Sequence, residues 1–366
     1  MGPHQIDLEL YFKGDRFFRE SLAENLFRGL RDHSAVIVCD SRVSSDENSA
    51  FLNMMERYFS QTAKSKLADV HQDVGFQIGL TPEFQEPADP RAFAHFINSG
   101  ISSHNWPIFC GPDHRDPKER FMWRIGNRPQ ITAYPELNLA PAIPLQFQDM
   151  WADRMNLRGN QMHQTILVIA HLLGIAFVVR KLLRAVDEYF FVDQLTYGPH
   201  LLAPNGMNLE GLELGTVINC CHTDFNWGTI HGRGRFRAAK LWSKNGEPFI
   251  SDLSLVQTDN PGSVHLFQVG EQLEHQTGGL FRAGWHEVAV FPETLIDLER
   301  AQRDGRSTIR CSSTMFATVA HDNVLSVIPG LEGKFPSGYF PLVKKIYPDI
   351  LCGDQVQRSL KRINLL

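Results

Sequence analysis

Apolar positions in the first third of the chain alternate between extended runs and helical spacing. Ile6, Asp7 and Leu8 read as a short extended start. A helix follows to about Arg31, with Ala23, Leu26, Phe27 and Leu30 on one face. Val36 to Cys39 is a β-branched apolar run of strand length, which predicts a buried strand. Phe51, Met54, Met55, Tyr58 and Phe59 stand at i, i+3, i+4, i+7 and i+8, the stripe of a helix packed on a core. Residues 104 to 145 are rich in Pro, Asn and Asp and read as long surface loops. A long helical stretch runs from about Phe147 to Leu183, with Gly159 and Gly174 as breaks.

After Phe191 the pattern changes to short strands separated by turns. The expected strands are Gln194 to Tyr197, Gly215 to Cys220, Gly228 to His231, Ala238 to Trp242, Val264 to Val269, Glu287 to Phe291 and Thr308 to Val319. Lys244-Asn245-Gly246 is a hairpin signal. So many short strands predict a mainly β fold with added helices. Its core would be a double-stranded β-helix (jelly roll), with an N-terminal α/β region and a long supporting helix. The expected division is residues 1–120 for the α/β region packed on the core and 121–366 for the core, the two forming one compact unit.

Composition narrows the function. Apolar residues make up 43% of the 366 positions and charged ones 21%, ordinary values for a globular enzyme. The net charge of -5, with no basic tract, argues against a nucleic-acid partner or an anionic membrane surface. Cys39, Cys110, Cys220, Cys221, Cys311 and Cys352 show no CxxC spacing, so neither a disulfide framework nor a zinc ribbon is expected. The apolar run Ile166 to Val179 is too short to span a bilayer and reads as a buried helix. The first dozen residues lack a signal pattern, and Pro3 opposes acylation at Gly2. A cytoplasmic protein acting on a small molecule is the expectation. No GxGxxG or P-loop follows a strand, so nucleotide chemistry has no support.

Three His-x-Asp pairs occur: His71/Asp73, His114/Asp116 and His222/Asp224. Only the last follows a mainly apolar, strand-like run, Leu214 to Cys220. Residues i and i+2 of a strand face the same way, so imidazole and carboxylate there can grip one metal. Cys220 and Cys221 beside them read as packing residues. Downstream, the segment from Gly270 to Val288 contains Thr277-Gly278-Gly279-Leu280-Phe281 and ends in His286 at a strand start. Further on, Arg310-Cys311-Ser312 places an arginine and a hydroxyl at i and i+2.

In this order, the three features resemble the isopenicillin N synthase-like iron(II)/2-oxoglutarate oxygenases. The likeness extends to the N-terminal elements, and Tyr197-Gly198-Pro199 stands where that family has a Tyr-Pro pair. Two departures are Gly278 in place of Asn and Glu287 in place of Arg. A third is a helix-like insert, Pro292 to Gly305, closed by an Asp304-Gly305 turn. The resemblance implies His222, Asp224 and His286 as iron(II) ligands. It implies Arg310 and Ser312 as the grip on 2-oxoglutarate, with Tyr197 near the same co-substrate, and O₂ as oxidant. Arg306 with Thr308 offers a rival pair of the same spacing.

Two imidazoles and one carboxylate leave three coordination positions open, as an iron centre needs to take a chelating co-substrate and O₂. An arginine fork with a nearby hydroxyl suits a carboxylate. The implied outcome is hydroxylation, desaturation or oxidative cyclisation of a specialised-metabolite or amino-acid-derived substrate. Asn226, Trp227, Thr229 and His231 are candidate pocket residues. Arg233, Arg235 and Arg237 form a local basic cluster, read as a solvated face. The alternatives are an oxidase of the same family that needs no 2-oxoglutarate, a non-catalytic binding protein on this fold, and a zinc hydrolase.

Overall fold

The computed structural model describes residues 3–182, 187–336 and 338–366. Two sheets carry the strands that matter for the site. The larger runs His4–Asp7, Ala35–Cys39, Val264–Val269, Gly228–Gly232, Ser313–Ala317, His200–Leu202, Glu119–Ile125, Asn205–Asn208 and Ile309–Cys311, with Gly79–Thr81 on Glu119–Ile125. The smaller runs Pro248–Ile250, Ala239–Trp242, His286–Ala289 and Val217–His222. Apart from the parallel pair at the N-terminus, the ladders are antiparallel.

The N-terminal strands extend the large sheet directly. Ala35–Cys39 pairs with Val264–Val269, residue for residue from Cys39 opposite Val264. The helices Arg16–His33 and Ser45–Phe59 follow the apolar stripes of the sequence, burying Leu26, Phe27 and Leu30, and Phe51, Met55 and Tyr58. Asp15 and Ser44 cap their first turns with side-chain oxygens.

The long helix is continuous from Trp151 to Val179. Gly159 and Gly174 do not break it. A Cβ at Gly174 would lie 1.9 Å from the Glu188 carbonyl oxygen, and one at Gly159 2.2 Å from Ile125 Cδ1. The glycines are there for close approach, and packing overrides their poor helix propensity. Leu183, the expected last residue, lies outside the described residues. The helix is long and apolar enough by composition to cross a membrane, but 72% of its most apolar window is buried inside the protein. Its side chains Ile166, Ile169, Leu172 and Phe177 are the middle of the main core.

Two expected elements differ. Gln194 to Tyr197 is not a strand. Phe190–Leu195 is a helical turn whose Phe191 packs on Phe177 of the long helix, with ring centroids 5.3 Å apart. Within the expected loops lies a buried strand, Glu119–Ile125, which pairs with Gly79–Thr81, His200–Leu202 and Asn205–Asn208 in the large sheet. The hairpin at Lys244-Asn245-Gly246 joins Ala239–Trp242 to Pro248–Ile250, with Gly246 at φ 78°. The insert is the helix Pro292–Arg303, packing Leu298 and Ala301 on Ile218, Val288 and Val290.

Candidate metal centre and its two cavities

Three side chains converge at one end of the small sheet. His222 closes the strand Val217–His222, and its Cα partner on the antiparallel strand His286–Ala289 is His286. Pairing therefore sets the two rings side by side, centroids 4.2 Å apart. Asp224 follows two residues past His222. Its Oδ1 lies 3.5 Å from His222 Nε2 and 3.9 Å from His286 Nε2. The three ligand atoms lie within 4.8 Å of one another, a spacing one cation can bridge.

The surroundings fix which atoms face the common point. His222 Nδ1 is 2.7 Å from the Cys220 carbonyl oxygen and donates to it, so in the neutral ring the lone pair is on Nε2. Burial favours that neutral form, while Asp224 and the Cys220 carbonyl outweigh it and raise the pKa. His286 Nδ1 lies 3.2 Å from the Gly284 carbonyl and 2.9 Å from Gln268 Nε2. The Gln268 amide nitrogen can only donate, so the ring has two tautomers here; the one that donates Nδ1–H to the Gly284 carbonyl is the one that leaves Nε2 free for a cation. Thr229 Oγ1 donates to Asp224 Oδ2 at 2.5 Å, leaving Oδ1 for the centre. Asn226 in turn donates to Thr229 Oγ1 at 3.0 Å. Burial holds the His286 pKa down to about 3, with the His222 ring adding to the effect, so this imidazole is neutral. At Asp224 burial works upward, but the His286 and His222 rings and the Thr229 bond outweigh it and hold the carboxyl well below its usual range. Two neutral-capable imidazoles and one ionised carboxylate, each braced from behind, fit a divalent cation with open positions.

No protein-family model matches the chain, and no curated protein does. Solved structures do. A putative 2OG-Fe(II) oxygenase family protein from Caulobacter crescentus aligns over 99% of both chains at 14% identity, with a TM-score of 0.71. A full-length Neurospora crassa protein in complex with alpha-KG covers 98% of this chain and 95% of its own, at 15% identity and a TM-score of 0.70. A rice dioxygenase for auxin oxidation covers 98% and 95%, at 16% identity and a TM-score of 0.61. The chain has the fold of the 2-oxoglutarate and iron(II) oxygenases.

On this oxygenase fold two cavities meet at the triad. One reaches away between the sheets and is lined by His231, Arg310, Ser312, Thr314 and Phe316. Arg310, Ser312, Thr314 and Phe316 sit at every second position, so they share one face as the strand passes between neighbours. Arg310 is 9% exposed and lacks an ion-pair partner among the described residues, and its Nε has no hydrogen-bond acceptor. Burial lowers its pKa to about 10, which still leaves it cationic at neutral pH. Ser312 Oγ accepts from Asn205 N at 3.0 Å and from Thr314 Oγ1 at 3.2 Å. Arg306 is exposed on the turn after the inserted helix, 3.3 Å from Asp304, and Thr308 is bonded to Asn208. Neither lines either cavity.

The other cavity opens from the triad toward Met122, Leu201, Phe225, Phe316, Val356 and Leu360. The helix Cys352–Arg362 forms part of its wall, and Arg362 ties to Glu271 at 3.2 Å. Arg120 borders both cavities.

The remaining sequence candidates separate. His231 lines the first cavity, its ring 6.0 Å from that of His286. Asn226 and Thr229 brace Asp224 from behind, Asn226 also lining the second cavity. Trp227 is fully buried in the main core and donates to Gln276 at 3.0 Å, so it is a packing residue and not a pocket wall. Tyr197 is 51% exposed beyond the turn at Leu195 and lines neither cavity, because the expected strand there is a helix end. Arg235 pairs with Glu56 and Arg237 with Asp297 and Asp252, so these cations tie elements together instead of forming a free solvated face. Cys221 packs on Phe96 and Trp242, on the opposite face from His222.

Proposed function

We propose that this chain is an iron(II)- and 2-oxoglutarate-dependent oxygenase of the isopenicillin N synthase-like type, acting on a small molecule. Its two sheets would form the double-stranded β-helix, with His222, Asp224 and His286 holding iron. The observation that carries this reading is Arg310. A buried guanidinium without a carboxylate is costly, and its place in a cavity that ends at the triad suits an incoming diacid. Arg310 and Ser312 take the distal carboxylate of 2-oxoglutarate, and His231 and Phe316 wall the channel. The same anion-ready arginine disfavours an oxidase that needs no 2-oxoglutarate.

Bound iron with O₂ and 2-oxoglutarate supplies the oxidising chemistry and yields succinate and CO₂. The chain's share is placement. The Cys220 carbonyl holds the His222 tautomer, the Gly284 carbonyl and the Gln268 amide fix the plane of the His286 ring, and Thr229 aims the carboxylate. The mainly apolar walls Met122, Leu201, Phe225 and Phe316 exclude water and seat one C–H bond of the substrate near the triad. The reading is tested by incubating the protein with iron(II), ascorbate and 2-oxoglutarate labelled at C1. Labelled CO₂ should be released in step with succinate, even slowly without substrate. Consumption of O₂ with no succinate would favour the 2-oxoglutarate-independent oxidase.

Thr229→Val keeps the shape of the side chain but removes the bond to Asp224. Iron(II) affinity, measured against a chromophoric chelator, is expected to fall roughly 10–100-fold, the usual cost of an outer-sphere partner. An unchanged affinity would show that the hydroxyl does not orient the carboxylate.

A further inference from the structure

We propose that Cys110, His114 and Cys220 form a second cation site, separate from the triad and suited to zinc(II) or a similar thiophilic divalent metal. The two sulfurs and one imidazole nitrogen lie within 4.8 Å of one another. His114 Nε2 is buried and has no hydrogen-bond partner, and one nitrogen of the same ring lies with the two sulfurs. Cys110 Sγ makes a weak contact, 3.8 Å to the Ile108 carbonyl, and lies against the Cys220 thiol. Asp116 Oδ1 lies 3.8 Å from His114 Nε2, but it accepts from Cys220 N and Asp116 Oδ2 pairs with Lys118, so the carboxylate braces the cluster from outside and a fourth position is left open. Two thiolates and an imidazole with a fourth position open to solvent suit tetrahedral zinc, whereas the triad offers no sulfur.

Backbone contacts hold the site ready. Ile108 N donates to Glu287 Oε2 at 2.9 Å, and Asp116 N to the Glu86 carbonyl at 2.9 Å, pinning the chain on both sides of Cys110 and His114. Cys220 N donates to Asp116 Oδ1 at 2.9 Å, which fixes the strand to the same segment. Binding a divalent cation displaces the two thiol protons to solvent and joins this segment to the strand that ends in His222. Sequence spacing hides the site because Cys220 lies far along the chain from Cys110 and His114, and packing alone accounts for a buried cysteine.

The test is a cobalt(II) titration of the whole, metal-free protein, kept anaerobic with a phosphine reductant. Two equivalents should bind. One should give an intense thiolate-to-cobalt charge-transfer band with tetrahedral d–d bands, and zinc(II) should bleach both. Cys110→Ser and His114→Ala should each lose these bands and keep one equivalent. The double variant His222→Ala/His286→Ala should keep the bands and lose the other equivalent, which separates this site from the triad. Absence of the thiolate band, its survival in Cys110→Ser, or a Cys110–Cys220 disulfide that persists under the reductant would overturn the proposal.

Discussion

Replacing His222, Asp224 or His286 by Ala is expected to abolish iron-dependent turnover and to lower iron(II) affinity at the triad by more than about a hundredfold, beyond the loss caused by an outer partner alone. Each of the three supplies one of the atoms that lie within 4.8 Å of one another, and no other His, Cys, Asp or Glu of the described residues joins that cluster. Removing Asp224 also takes away the acceptor of the Thr229 hydroxyl's short bond, leaving that hydroxyl to the Asn226 side chain. The contrast is His71→Ala. His71 precedes a short helical turn at Gln72–Val74 and lines neither cavity. That variant should bind iron as the parent does. Circular dichroism and thermal melting of the metal-free proteins separate lost ligands from lost fold. Iron binding by His222→Ala at parental affinity would show that the site is elsewhere.

Arg310→Ala is expected to raise the 2-oxoglutarate concentration needed for half-maximal turnover by roughly a hundredfold, the cost of a charge-assisted bidentate contact in a buried site. Iron affinity should barely change, because Arg310 contacts none of the three ligands. Removing an uncompensated buried cation should also leave the metal-free protein at least as stable as the parent. Arg306→Ala should change neither quantity, since Arg306 is 42% exposed and already paired with Asp304. A steep loss in Arg306→Ala with none in Arg310→Ala would move the co-substrate end to the turn after the inserted helix.

The parts of this molecule visible in the sequence were those with a simple local period. The amphipathic stripes at 23–30 and 51–59 and the β-branched run at 36–39 each encode their partner surface in one segment. His222, Asp224 and His286 stood out through the order of the motifs and the family resemblance, and the structure brings these three side chains within 4.8 Å of one another. Glu119–Ile125 was missed although it alternates: Phe121, Trp123 and Ile125 face one way, and Arg120, Met122 and Arg124 the other. Its neighbourhood of Pro and Asn drowned that signal, and with it Arg120 at the junction of the cavities. Gln194–Tyr197 failed for the opposite reason, since its helical turn is imposed by packing on Phe177 and not by local preference. Asn219, Gln268 and the C-terminal wall at Val356 and Leu360 carry no motif. They belong to the site only through long-range pairing, which one sequence does not display. Tyr197 shows the limit of transferring a role by position in a motif: a glycine separates it from Pro199, and its side chain is half exposed and lines neither cavity.

The most direct measurement is an anaerobic titration of the metal-free protein with iron(II) and then 2-oxoglutarate, followed by visible absorption. A keto acid chelating ferrous iron gives a metal-to-ligand charge-transfer band that neither component gives alone. The account predicts that this band rises to saturation at one equivalent of iron, requires 2-oxoglutarate, shifts to much higher 2-oxoglutarate concentration in Arg310→Ala and is lost in His222→Ala. Iron bound at one equivalent with no such band at saturating 2-oxoglutarate, or a band that survives His222→Ala unchanged, would contradict it.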